Sequence, residues 1–158
     1  MINFDLIRPN IFLGSCPGNK TDVTRLAEAL GVTGVLCLQT DSDFTKWNIA
    51  WEEVQTTYTR HNIFLMRSPI IDFDRADLEE KVKDAAEVLD QMLAVGHRVY
   101  VHCTAGQERA PATVISHLVM TEDLSLQAAV DEVTSKRQCK PFVDVLEKVF
   151  DQPAELKS

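Results

Sequence analysis

Cys103 and Arg109 have five residues between them, Gly106 among these, in the stretch His102-Cys103-Thr104-Ala105-Gly106-Gln107-Glu108-Arg109. A cysteine thiolate can attack phosphorus if the phosphoryl group is held while the bonds change. A loop of this length can curl so that the backbone N–H groups of Thr104, Ala105, Gly106, Gln107 and Glu108 converge on an anion. A helix that starts after the loop adds its positive end, and Arg109 offers a planar fork for two oxygens. Gly106 lets the backbone turn where a side chain would obstruct it. The same positive surroundings favour a thiolate at Cys103. From average residue frequencies, His-Cys-x-x-Gly-x-x-Arg arises by chance in roughly one in ten thousand chains of this size. The pattern therefore points to cleavage of phosphate esters through a phosphocysteine.

Such a reaction needs a proton for the leaving oxygen, which a carboxylic acid can supply. Asp72 and Asp74 are the candidates, in a loop about thirty residues upstream of Cys103 that leaves the same carboxyl edge of a parallel sheet. Either could instead be a solvated loop acid. His102 is read as orienting the loop by hydrogen bonding, or else as a buried histidine. The four histidines have no metal-ligand spacing to Cys16, Cys37, Cys103 and Cys139, so no metal is expected, and no organic cofactor is implied.

The elements that would position these groups follow from the apolar pattern. Strand-length apolar runs alternate with segments of helical period, which predicts an α/β fold with a mostly parallel sheet of about five strands flanked by helices. No linker or repeat divides residues 1–158, so a single domain is expected. Residues 11–14 read as a first strand, 35–38 as a second apolar on both faces, and 63–66 as a third running into 68–74. Residues 99–101 form the strand that delivers His102 and Cys103 to the sheet edge. Helical periods cover 22–30, 48–60 and 77–95, then about 110–120, 125–136 and 141–150, with Pro111 tolerated in a first turn. Residues 151–158 read as a frayed tail.

Net charge is −8, with 45% hydrophobic residues. An acidic chain disfavours nucleic acid and anionic membranes as partners. Lys136, Arg137 and Lys140 are the local exception, read as a solvated helix end or as a contact for a phosphate-rich substrate. No apolar run is long enough to span a bilayer and no signal segment opens the chain. A cytoplasmic monomer with reduced thiols is the expectation.

The chain resembles the dual-specificity phosphatases of the Cys-x5-Arg group, and among them the plant starch-excess type glucan phosphatases, which are related to laforin. The resemblance rests on residues 3–9, Leu13-Gly14-Ser15-Cys16, Cys37-Leu38-Gln39, Asp72-Phe73-Asp74, the stretches 100–106 and 109–112, and Ser135-Lys136-Arg137. It implies Asp72 as the general acid, and Phe73 and Trp47 as aromatic contacts to a sugar chain, though either ring could serve packing. Phe4 is a weaker contact, read first as core. The implied substrate is phosphorylated glucan, with a phosphotyrosine or phosphothreonine protein as the alternative. Some relatives pair the nucleophile with a second cysteine, which makes Cys37 a possible redox partner of Cys103, or else a buried structural thiol. Glu108 departs from the pattern, since glucan phosphatases usually carry glycine just before the arginine. A carboxylate there would repel a bound dianion unless it turns outward or takes a proton, so Glu108 is read as turned outward, or else as assisting proton transfer. A phosphate-binding domain weakened by Glu108 is the rival reading.

Overall fold

The computed structural model describes residues 1–157. In chain order its elements are β1 (Phe4–Arg8), β2 (Ile11–Gly14), α1 (Lys20–Glu28), β3 (Gly34–Cys37), α2 (Asp41–Lys46), α3 (Trp51–Arg60), β4 (Phe64–Arg67), α4 (Arg75–Ala94), β5 (Val99–His102), α5 (Arg109–Thr121), α6 (Leu126–Lys136) and α7 (Val143–Phe150). The five strands form one sheet in the order β1-β2-β5-β3-β4. Only β1 runs antiparallel to its neighbour; the other pairs are parallel. This is the expected mostly parallel α/β architecture.

Strands β3 and β5 are buried along their whole length, because helices cover both faces and leave no side to face water. On one face Leu13, Leu36 and Val101 pack against α4, α5, α6 and α7. On the other, Phe12, Val35 and Tyr100 meet Val23 and Leu26 of α1 and Val54 and Tyr58 of α3. Helix α5 is buried from Arg109 through Leu118, which suits an element enclosed by the sheet and neighbouring helices. Gly14 and Cys37 both pair with His102, and Cys37 pairs with Arg67. The four parallel strands thus end level, and the segments that follow them meet at one edge.

Three expectations are corrected. The first strand is β1, ahead of residues 11–14; a register shift between Leu6 and Arg8 breaks its pairing, and such a bulge erases the alternation that marks a strand. The helix expected over 48–60 starts only at Trp51, because Asn48 takes a left-handed φ of 51°. Before it lies α2, begun by a capping box in which Thr40 and Asp43 serve each other's backbone N–H. The tail is not frayed: Gln152 accepts from Leu126 N–H at 2.8 Å, and Glu155 N–H donates to Gln127 at 2.8 Å. Ser158 lies outside the described residues.

Gly14 ends β2 where no side chain fits. A Cβ there would lie 2.4 Å from both the Asn3 carbonyl and the Tyr100 hydroxyl, and that hydroxyl is fixed by donating to the Ser15 carbonyl at 2.5 Å. Gly14→Ala is expected to lower unfolding free energy by about 1–3 kcal/mol, the usual cost of forcing atoms into a packed site. Urea denaturation measures it.

Candidate active site

The segment after β5 turns back on itself before α5. Gly106 sits at φ +68°, and a Cβ added to it would lie 2.6 Å from the Gly14 backbone and 2.7 Å from Arg137 Nη2. Two glycines therefore let the loop press against the end of β2. Its carbonyls all face outward to donors. His102 Nδ1 donates to the Cys103 carbonyl at 2.9 Å, and Cys16 N–H donates to Thr104 at 2.9 Å. Arg137 reaches the Ala105 carbonyl at 3.1 Å through Nη2 and Gly106 at 2.8 Å through Nε. Lys140 N–H takes Gln107 at 2.9 Å and Ala112 N–H takes Glu108 at 3.0 Å.

The opposite holds for the donors. Among the described residues, none of the backbone N–H groups from Thr104 to Arg109 donates to a protein acceptor. Buried amides are normally paired, so a run of unpaired donors around one concavity marks a seat for an anion. Cys103, 3% exposed, lies at its base.

Arg109 is 1% exposed, and a charge so deep must be compensated. Its Nη1 donates to Asp43 Oδ2 at 2.8 Å and to the Ile70 carbonyl at 2.9 Å. Nη2 donates to Thr104 Oγ1 at 3.2 Å, and Thr104 Oγ1 also accepts from Gln39 Nε2 at 3.0 Å. Nε is 3.3 Å from Asp72 Oδ1 but lacks hydrogen-bond alignment. One side of the guanidinium is tied to the scaffold, and Nε, with part of Nη2, remains for a ligand. Burial works against the Arg109 charge; the Cys103 sulfur, Asp43 and Asp72 outweigh it. At Asp43, burial pushes the carboxyl up, yet the Arg109 hydrogen bond and Thr40 hold it below the usual range.

Asp72 and Asp74 part company here. Asp74 caps α4 by accepting from Asp77 N–H at 2.9 Å. Asp72 lines the cleft with Cys103, Glu108, Arg109, Trp47 and Phe73. Asp77 steadies the turn that carries both by accepting from Ile71 N–H at 2.7 Å. Phe73 is held at φ +58° with 68% of its surface exposed, and Trp47 is 53% exposed. Phe4 packs edge-to-face on Phe12 in the core, away from the cleft.

Glu108 lines the cleft as a half-buried residue whose Oε2 is buried and without a hydrogen-bond partner, so it is not turned fully outward. His102 is fully buried, with Nδ1–H committed to Cys103. Cys37 is a free buried thiol whose sulfur is pushed up to about 11, mainly by burial. Among the described residues no group of three His, Cys, Asp or Glu side chains could hold a metal ion.

One residue escaped the sequence analysis and another is corrected. Asp43 lay unnoticed in α2, although Thr40-x-x-Asp43 is a legible capping signal. Arg137 is neither solvated nor a substrate contact: it is 4% exposed and binds the loop carbonyls, Asn3 and Asp5.

Removing one partner of a buried ion pair strands the other charge. Asp43→Ala is expected to cost about 3–5 kcal/mol of stability by urea unfolding. Burial, chiefly, pushes His102 down to about 4, with the Arg109 charge adding and the bond to Cys103 opposing. In the unfolded chain a histidine protonates near 6.5. The stabilisation is therefore complete above about pH 6.5 and is lost as pH falls toward 4, by about 3 kcal/mol in all. His117, also pushed down by burial, acts in the same direction. Unfolding free energy measured at pH 7 and pH 5 should fall less in His102→Asn than in the wild type.

Comparison with known proteins extends this geometry. The family described as "Dual specificity phosphatase, catalytic domain" matches residues 11–144. Phosphoglucan phosphatase LSF1, chloroplastic, of Arabidopsis thaliana is 34% identical over 140 residues, 89% of this chain and 24% of that protein. Phosphoglucan phosphatase DSP4, amyloplastic, of Castanea sativa is 33% identical over 147 residues, 92% of this chain and 39% of that protein. The chain thus spans well under half the length of either relative. The crystal structure of Tk-PTP in its active form superposes with a TM-score of 0.77 at 18% identity, covering 95% of this chain and 97% of that one, a likeness of fold. Family match and curated relatives agree: the chain belongs to the dual specificity phosphatase family.

Proposed function

We propose that this domain hydrolyses phosphate monoesters through a phosphocysteine, and that phosphorylated glucan is its substrate. The observation that carries the reading is the inversion of the loop's polarity: carbonyls bound on the outside, unpaired N–H groups on the inside, the Cys103 thiol at the base. The amides of Thr104, Ala105, Gly106, Gln107, Glu108 and Arg109 receive the phosphoryl oxygens, and Arg109 adds Nε and Nη2. The Cys103 sulfur attacks phosphorus while Asp72 gives a proton to the leaving oxygen. Water then attacks the phosphocysteine and Asp72 takes its proton back. His102 holds the loop from below.

Support for a sugar substrate comes from the cleft mouth and from the relatives. Phe73 and Trp47 stand exposed on the rim, flat surfaces suited to the apolar faces of sugar rings. Both curated relatives carry the name phosphoglucan phosphatase. They are also named chloroplastic and amyloplastic, against the cytoplasmic expectation for this chain, and fractionation of its native source decides between compartments. The same reading takes the domain as a monomer, which gel filtration with light scattering tests. No helix among the described residues is long and apolar enough to cross a membrane.

All four cysteines are free in this structure. Formation of a Cys37–Cys103 bridge under peroxide, as the family resemblance implies, is read by mass mapping; no such crosslink would remove Cys37 from the site.

Turnover of an aryl phosphate is expected in the wild type and absent in Cys103→Ser. Asp72→Ala should lower kcat by roughly 10²–10⁴-fold, whereas Asp74→Ala should mainly cost about 1 kcal/mol of helix capping. The opposite order would reassign the acid. Phosphate release from solubilised phosphoglucan should exceed release from phosphotyrosine and phosphothreonine peptides. A preference for peptides would overturn the substrate.

A further inference from the structure

Glu108 carries the one side chain of the loop that neither the loop's hydrogen bonds nor the family pattern accounts for. It occupies the N-cap of α5, yet its side chain makes no capping hydrogen bond. Glu108 lines the same cleft as Cys103 and Asp72, and its Oε2 is buried without a hydrogen-bond partner. An ionised carboxylate in that setting would lack hydrogen bonds and would face a bound phosphate of the same sign.

The charges around it are few. Asp72 faces it from the turn before α4, and Arg109 from its own helix. Arg75 stands at the start of α4, its guanidinium bound to Asp144 of α7 at 3.0 and 3.4 Å. Arg109 is already committed to Asp43 and lies beside Asp72. Both arginines therefore have other acids to satisfy. Burial pushes the Glu108 carboxyl up, Asp72 pushes it further, and the two arginines do not offset the pair. Two carboxyls that repel each other in one cleft lose their protons in two separated steps.

We infer that Glu108 and Asp72 form a proton-sharing carboxyl pair, with Glu108 as a positioning residue that acts through Asp72. This rests on the reading of Asp72 as the acid. One proton resides on the pair in the resting site. As the S–P bond forms and the P–O ester bond breaks, the proton passes from Asp72 to the departing alkoxide. In the second step a water oxygen bonds to phosphorus, the S–P bond breaks to return the thiolate, and the water's proton returns to the pair. The last proton leaves such a pair at a higher pH than it would leave a lone carboxyl. This matters most for an alkyl or sugar phosphate, whose leaving oxygen is far more basic than a phenolate and depends more on the acid. The device thus deepens the proposed substrate class: monoesters of aliphatic hydroxyls.

The test combines pH profiles with a readout independent of turnover. In ¹³C-carboxyl NMR of the whole domain, Glu108 should titrate above the ordinary glutamate range, and Asp72→Asn should bring it down. In kinetics, Glu108→Gln should move the basic limb of kcat/KM toward acid by about one pH unit, a tenfold loss on that limb. The loss should be larger for a sugar phosphate than for an aryl phosphate, and Glu108→Asp should recover part of it. In an Asp72→Ala background, Glu108→Gln should have no further effect on the limb. A Glu108 resonance indifferent to Asp72→Asn overturns the pair. So does an unmoved limb in Glu108→Gln, or a shift that persists without Asp72. If Asp72→Ala alone keeps wild-type turnover, the acid assignment fails in its own arm, separately from the coupling seen by NMR.

Discussion

A guanidinium almost wholly removed from water is the constraint around which this domain is arranged. An unpaired buried charge is among the costliest things a fold can contain, so the Arg109 side chain dictates its neighbours. Asp43 and the Ile70 carbonyl take one side permanently. Those partners come from the segments after β3 and β4, so the arginine also binds together three loops at the sheet edge. Asp72 stands beside the remaining side without sealing it. A lysine could not divide its charge this way, since its ammonium lacks the planar fork with separate edges.

The same logic of satisfied and unsatisfied groups explains the loop. Six amides pointing at one another would normally be avoided, and the fold compensates by over-determining the carbonyls. Arg137 is the main device, because it holds two successive carbonyls and is itself fixed by Asn3 and Asp5 of the β1 region. The bulged edge strand, which looks peripheral, is therefore part of the support for the loop. Arg67 plays a parallel role on the far side. It donates to the Gln39 carbonyl and lies over the stacked rings of Phe44 and Trp51, fixing α2 and hence Asp43.

What the sequence could disclose follows from how local each constraint is. Cys103 and Arg109 belong to one contiguous loop, with the strand and helix that flank it written in adjacent apolar patterns, so the loop and its flanking elements were legible together. The parallel sheet was legible for the same reason, since buried strands read as unbroken apolar runs. Asp43 and Arg137 were not, because each acts on a partner far along the chain and nothing in their own neighbourhood names it. The ambiguity between Asp72 and Asp74 has the same origin. Two acids with one residue between them are equivalent in sequence, and only the start of α4 at Arg75 makes Asp74 a cap and frees Asp72. Glu108 shows the limit from the other side: its departure from the family pattern was plain, but its direction depended on the dihedrals of a helix cap.

The rim of the cleft carries the argument about substrate furthest. Fully burying an aromatic side chain gains about 1.5–3 kcal/mol relative to leaving it in water, and Phe73 and Trp47 forgo much of that. Phe73 adds the strain of a left-handed backbone, which for a residue other than glycine costs on the order of 1–3 kcal/mol. The turn that imposes it is not loose, since Asp77 and Asp74 fix both of its ends. Other apolar side chains, Phe64 and Val95 among them, are also exposed, but Phe73 and Trp47 are the two exposed rings that line the cleft with Cys103. A ligand that covers them while its phosphate occupies the loop would recover that burial. Such a ligand needs broad, weakly polar faces and little charge of its own beyond the phosphate, because the chain carries a net charge of −8. The proposed substrate, a chain of neutral sugar rings bearing single phosphates, meets each of those conditions, whereas a polyanionic headgroup meets only the first contact with the loop.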